Sequence, residues 1–314
     1  VYLCELKIKG KRNILKLEKP SVGGQAVIEG VMIRSPKRIA TCVRRPDGGI
    51  ETQSTAFTPV SKRYKILGLP IIRGAVSLVE MLSVGIKTLN WSADVAFPEE
   101  KDKGGVGESI GTFFAFAIAI LIFVYSPLLL SELVGLKDNP ALFNLVAGGI
   151  RLFFFLIYLI VISMFKDVRR VFEYHGAEHK TIHAYENDME LTLDNVRQFT
   201  TLHPRCGTSF ILIVALASII FFAVADLIFY HFTGFLPKSI GRFGFHLALW
   251  PVMAGLAYEI LRFSAKAASK WKVFGIFVLP GLWLQKITTK EPDDSQLETA
   301  IMAVKESLKD GDDA

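Results

Sequence analysis

Six residues able to bind a metal or move a proton fall in one short stretch of the chain. His175, Glu178, His179, His183, His203 and Cys206 lie within Val171–Ser209, which holds four of the six histidines and one of the three cysteines. Helical spacing over Phe172–Glu186 puts His175, His179 and His183 on one stripe, with Glu178 beside them. Neutral imidazoles one turn apart can grip a divalent cation. His175-Gly176-Ala177-Glu178-His179 also fits the H-x-x-E-H pattern, in which two His hold zinc and the Glu handles the proton of an attacking water. Downstream, His203-Pro204-Arg205-Cys206-Gly207 places a His and a Cys three apart in a turn before a helix start, a half-site for zinc or iron. The expectation is a divalent-metal site, zinc first and iron second, drawn from His175, His179, His183, His203 and Cys206, with Glu178 as catalytic base. Glu186 and Glu259 are further candidates to complete the ligand set. The rival reading is plain: interfacial histidines contact lipid phosphate or cap backbone groups, Arg205 meets phosphate, and Cys206 packs. A nucleophilic Cys206 with His203 lacks an orienting third group nearby.

The elements around this stretch must hold it at a membrane. The chain has 314 residues, 51% of them hydrophobic, with 24 Phe and a net charge of +6. Its mean hydropathy is +0.38 and its pI near 9.1. That is too apolar for an ordinary soluble domain, and the basic balance fits orientation and anionic lipid rather than nucleic acid. Three scattered cysteines fit a reducing compartment, and Val1–Pro20 lacks the apolar core and cleavage site of a signal peptide.

Four near-continuous apolar runs, 110–133, 141–165, 209–232 and 240–263, are each long enough to cross a hydrocarbon core of about 30 Å. The expected fold class is an α-helical integral membrane protein with four transmembrane helices and a small cytosolic α+β portion. Residues 1–98 form a β-rich region: Ala26–Arg34, Ile39–Arg45 and Ile50–Phe57 read as strands, with turn chemistry at Pro46-Asp47-Gly48-Gly49. It ends in an amphipathic helix over 70–91 that is buried or lies in the interface, unless it forms a fifth crossing. Residues 99–109 are a charged linker and 171–208 the His-rich connector. Residues 273–285 are too short to span, are broken by Pro280-Gly281, and read as re-entrant or interfacial. Residues 293–309 form a final helix capped by Asp293-x-x-Gln296. Lys and Arg concentrate in the connector and near both ends, so both termini and the connector are expected in the cytoplasm.

Arg151, Asp226 and His246 fall inside the proposed spans, where ionisable groups need partners. Asp226 and His246 lie at nearly equal depth and are expected to approach one another, joined by Arg151 or Arg242. A structural clamp is preferred there to a proton or substrate path. By the same counting Glu259 lies level with the start of the third span, within reach of His203 or Cys206.

Four segments carry a family resemblance: Gly23-Gly24-Gln25-Ala26-Val27-Ile28-Glu29-Gly30-Val31-Met32-Ile33-Arg34, then Glu173–Lys180, then His203–Ser209, then Leu279-Pro280-Gly281-Leu282-Trp283-Leu284-Gln285. Together they resemble the YqhQ family of bacterial membrane proteins over nearly the whole chain after Lys19. The resemblance implies a multi-pass protein of the bacterial plasma membrane and a metal-dependent enzyme of unassigned reaction. It also draws attention to Gln25, Glu29 and Arg34, with Glu29 expected as a ligand or base shared between sheet and connector, or else paired to a local Arg. The leading functional expectation is a metal-dependent hydrolase acting on a lipid-linked or membrane-protein substrate at the bilayer. A non-enzymatic partner in insertion, assembly or lipid organisation comes second. A small transporter, which would need a homo-oligomer, comes third.

Overall fold

The structure is a computed structural model that describes residues 19–99, 106–136, 139–268 and 279–309. An antiparallel meander opens it: β1 (Gly23–Val27), β2 (Gly30–Arg34), β3 (Arg38–Arg44) and β4 (Ile50–Ala56), paired in chain order. The stretch read as one strand over Ala26–Arg34 is a hairpin instead. Val27 pairs with Gly30, and Glu29 takes a left-handed φ of 51° in the two-residue turn between them. Tight hairpins need such a conformation, and a period of two cannot reveal a reversal inside an apolar run. The Asp47-Gly48 turn is as expected, with Gly48 at φ 85° and Gly49 N–H donating to Asp47 Oδ1 at 2.9 Å.

Helices follow: α1 (Val60–Arg63), a 3-10 turn at Ile66–Gly68, and the long α2 (Ile72–Ala96). The sheet is covered on both faces, which is why β2 reads apolar without alternation. Val27, Met32, Ile39 and Val43 pack towards Met81, Val84, Trp91 and Val95 of α2. Val31, Ile33 and Cys42 face Tyr174, Ala177, Leu297, Ala300 and Val304 on the other side.

The first apolar run is α3 (Val106–Ile120), a π-helical turn at Leu121–Tyr125 and α4 (Ser126–Leu133); the second is α5 (Pro140–Ile162). Asn139 caps α5 by accepting from Leu142 N–H at 3.0 Å. The connector contains α6 (Lys166–Glu186) and α7 (Leu193–Arg197), and the remaining runs are α8 (Gly207–Thr233) and α9 (Ser239–Ala268). Four helical stretches are long and apolar enough to cross a membrane: Phe113–Leu133, Pro140–Ile162, Ile211–Thr233 and Ser239–Ile260. A multi-pass membrane protein is thus compatible with the fold, which is mostly helical with one small sheet.

α10 (Leu279–Thr288) and α11 (Asp294–Ser307) complete the chain. Pro280-Gly281 lies within α10; the rest of the expected re-entrant or interfacial segment, residues 273–278, lies outside the described residues. α11 carries the expected capping box, with Asp293 Oδ1 accepting from Gln296 N–H at 2.9 Å and Gln296 Oε1 from Asp293 N–H at 2.9 Å. It packs with α6 against β2 and β3, clamping the His-bearing helix onto the sheet.

Candidate metal centre

α6 is held rigidly from three sides. Arg170 grips both carboxylate oxygens of Glu29 at the β1–β2 turn, and Tyr174 Oη donates to Glu29 Oε2 at 3.3 Å. The buried Lys180 ammonium bonds Glu291 and donates to Arg197 O at 3.2 Å. Gly176 lets the 290 segment pass against the helix, since a Cβ there would lie 2.0 Å from Lys290 O. Two glycine roles matter here; the second is Gly24, whose added Cβ would strike Met32 O at 2.4 Å and stand 3.2 Å from Glu178 Oε1. Sheet and helix therefore meet closely at Glu178.

On this frame, backbone carbonyls select which ring nitrogen each histidine presents. His175 Nδ1 meets Thr288 O at 2.8 Å and His179 Nδ1 meets Thr201 O at 2.5 Å. Those contacts require N–H on Nδ1 and leave both Nε2 lone pairs available, the arrangement a metal-binding imidazole needs. His183 is turned the other way: Nε2 meets Leu202 O at 2.9 Å while the ring stacks on Phe199. His203 is also committed elsewhere. Its Nδ1 accepts from Arg205 N–H at 3.2 Å, and its Nε2 faces Glu186 Oε2 at 3.4 Å, without the alignment of a hydrogen bond.

Cys206 supplies the third donor. It is the N-cap of α8, where its sulfur accepts from Thr208 N–H at 3.4 Å and lies 3.3 Å from His175 Nε2. A helix N-terminus favours the thiolate that a metal requires. One donor atom from each of His175, His179 and Cys206 lies within 4.8 Å of the others, so this group could hold a metal ion. Tetrahedral zinc with bonds of roughly 2.0–2.3 Å spaces neighbouring donors about 3.3–3.7 Å apart. Glu178 Oε2 stands 3.8 Å from His175 Nε2 and 3.6 Å from His179 Nε2, on the same scale. Donor chemistry and spacing fit a divalent ion of the zinc class.

Burial keeps the imidazoles neutral. It lowers His175 against the opposing Thr288 carbonyl, and pushes His179 down to about 2, helped by the neighbouring His175. Burial likewise lowers His203 to about 4 and depresses His183. Glu178 is pushed up to about 8 by burial, against the stabilising N–H of Gly24. A divalent charge beside it would favour the carboxylate.

Several expected participants stand elsewhere. Of the five predicted ligands, His183 and His203 border the convergent group without joining it, their rings 4.4 Å apart. Glu29 is engaged by Arg170 and Tyr174, so it is not shared with the histidines. Glu259 does not reach His203 or Cys206. Arg73 of α2 takes it in a bidentate pair at 2.6 and 2.5 Å, because α2 packs along α9. Gln285, fully buried on α10, was missed as a positioning residue. It clamps His203 by accepting from the backbone N–H at 2.8 Å and donating to the carbonyl at 2.9 Å. Its only sequence signal is a lone Gln at the end of an apolar motif.

Among the spans, Asp226 Oδ1 and His246 Nε2 meet at 3.0 Å, and Asn144 donates to Asp226 Oδ2 at 2.7 Å. Arg242 joins at 3.7 Å and lies over the Phe143 ring. Arg151 is not part of the group; its Nε donates at 3.0 Å to Phe123 O in the π-helical turn.

Four helices long and apolar enough to cross a membrane, with a largely buried His/His/Cys group before one of them, are compatible with a multi-pass membrane protein that carries a candidate metal centre. Residues 69–310 match the family described as "Protein of unknown function (DUF1385)", and the chain belongs to that family. It is also 32% identical over 312 residues to "Uncharacterized protein YqhQ" of Bacillus subtilis (strain 168), a match covering 92% of this chain and 93% of that one. No solved structure matches.

Proposed function

We propose that this chain is a multi-pass protein of the bacterial plasma membrane that carries a zinc-class ion on its cytoplasmic side and uses it for hydrolysis. The observation that carries the reading is the convergence of His175, His179 and Cys206 donor atoms within 4.8 Å, beside a buried carboxylate. A divalent ion there would supply Lewis acidity, polarising a scissile carbonyl or phosphoryl group and acidifying water. Glu178 accepts the proton of the attacking water on Oε2, while Gly24 N–H holds its carboxylate in place. The same carboxyl then returns that proton to the leaving group. His175 and His179 are kept in the right tautomer by Thr288 O and Thr201 O. The substrate is lipid-linked or a membrane protein, because the centre lies at the N-terminus of α8, a few residues before the span that begins at Ile211. The cytoplasmic side is inferred from the basic residues of the connector.

Elemental analysis of the purified full-length protein tests this. About one zinc-class ion per chain is expected, lost in His175→Ala/His179→Ala and retained in Glu178→Gln. No stoichiometric metal in the intact protein would sink the reading.

A second reading, a non-enzymatic partner in membrane-protein assembly, draws on the outer face of α2. Leu78, Val79, Leu82, Ile86 and Leu89 are exposed there, opposite the face that covers the sheet. Survival of cellular function in the His175/His179 double variant would favour it.

A further inference from the structure

A cavity of about 500 Å³ opens against the candidate metal centre, and its walls include Glu178, His179 and Cys206. Across from them are three basic residues: Arg34 at the end of β2, Lys62 of α1 and Arg205. Arg205 is neutralised by Glu186. The other two form no ion pair with a carboxylate among the described residues. Arg34 is half-buried, with its Nη1 2.6 Å from Met81 Sδ and its guanidinium 4.3 Å from the centre of the Phe57 ring. Glu80 acts on the Arg34 charge from beyond ion-pair distance, and its Oε1 accepts from Val60 N–H at 2.9 Å. Lys62 is exposed and makes no ion pair with a described residue. Two positive charges lining one recess repel each other, and an anion between them relieves that cost. The N-terminal end of α8, at Gly207, borders the same cavity and adds its positive dipole end.

We infer that this cavity seats a phosphate group beside the metal centre, carried on a lipid head group. The inference rests on the hydrolytic reading for its purpose and names the substrate class for it. A planar fork from Arg34 and a point charge from Lys62 suit phosphate oxygens. The lipid source follows from the surroundings. Just after Lys62, Tyr64, Ile66 and Leu69 are 62%, 69% and 51% exposed, interleaved with the basic Arg63 and Lys65. Apolar side chains alternating with Lys and Arg mark a segment that lies in the headgroup layer. The start of the span at Ile211 puts the α8 end of the cavity at the same level.

The test is calorimetric titration of the full-length protein in neutral detergent, with metal content measured on the same preparation. Three probes are compared: dihexanoyl phosphatidic acid, dihexanoyl phosphatidylcholine and inorganic phosphate. Phosphatidic acid is expected to bind best, with phosphatidylcholine at least tenfold weaker. Lys62→Ala and Arg34→Gln should each weaken it about tenfold, the loss typical of one charge-assisted hydrogen bond. Lys305→Ala, exposed on α11 and outside the cavity wall, should change nothing, and since Lys62 is exposed its replacement tests binding without a folding defect. Equal weakening by Lys305→Ala, or no effect of Lys62→Ala, overturns the inference. Inorganic phosphate binding as tightly as phosphatidic acid overturns the lipid assignment. Phosphatidic acid that still binds, through Arg34 and Lys62, to a preparation devoid of metal would leave this inference standing while the hydrolytic reading fails. Stoichiometric metal with no phosphatidic acid binding would do the reverse.

Discussion

The group around His175, His179 and Cys206 and the group around Asp226 and His246 are both buried and both built on histidine, but their lone pairs go to different places. In the spans, Asp226 receives Asn144 and His246, with Arg242 near, so the ionisable groups answer one another across α5, α8 and α9. His246 Nδ1 makes no hydrogen bond with a described residue, and its ring stacks on Phe222. In the connector, donors are tied down on one side only. The Nδ1 atoms of His175 and His179 are bonded to carbonyls, their Nε2 atoms point to a common region with Cys206, and a cavity opens beside it. A network of this kind clamps helices together, whereas convergent ring nitrogens and a thiol beside a recess suit the reception of a ligand.

That contrast can be broken most decisively at the connector. His175→Ala/His179→Ala should take bound metal from about one ion to none, with the circular dichroism of the chain unchanged; a retained ion would mean the ligands are elsewhere. Next in size is the clamp. Asp226→Ala leaves Asn144 and His246 without the carboxylate they bond and should cost about 1–3 kcal/mol of stability, read as a lowered unfolding midpoint in detergent. Its metal content should stay as in the parent, and a loss of metal would show that the two groups are coupled. Gln285→Ala removes both bonds that hold the His203 backbone and should cost about 1–2 kcal/mol of stability, read as a lowered unfolding midpoint, with metal content as in the parent because His203 is not among the convergent donors.

The smallest effect tests the frame. Burial acts to raise the Asp293 carboxyl, but bonds from Ser295 and Gln296 N–H and the Arg170 charge outweigh it and hold the group below the ordinary aspartate range. Its contribution is therefore complete above the unfolded value and is lost as pH falls through the folded one. Asp293→Ala should cost about 1 kcal/mol at neutral pH and progressively less in acid, followed by thermal unfolding across a pH series.

Much of this was legible in the residues. The four apolar runs are local in sequence, so a sliding reading finds them, and the one-turn spacing of His175 and His179 survives any packing. The capping box of α11 was equally local. Roles set by distant backbone were not. His183 looks like its two neighbours, yet it is turned away because Leu202 O, rather than Thr201 O or Thr288 O, is what its ring meets. Carbonyl positions leave no side-chain signature. Glu259 was expected within reach of His203 or Cys206, but the helix carrying Arg73 packs along α9, and no pattern in either segment announces that pairing. Arg151 or Arg242 was expected beside Asp226; Arg242 is the one near it, while Arg151 meets a carbonyl in the π-helical turn at Leu121–Tyr125.

The carbonyl of Thr288 and the clamp of Gln285 both come from α10, more than seventy residues after Cys206. A nascent chain that stops short of this helix would already own every donor atom, but His175 would be free to spin and His203 would lack its brace. On the proposed metal-binding reading, loading of an ion would then wait until α10 has been made, a seal applied late in biogenesis, and chains truncated before α10 should emerge from synthesis empty.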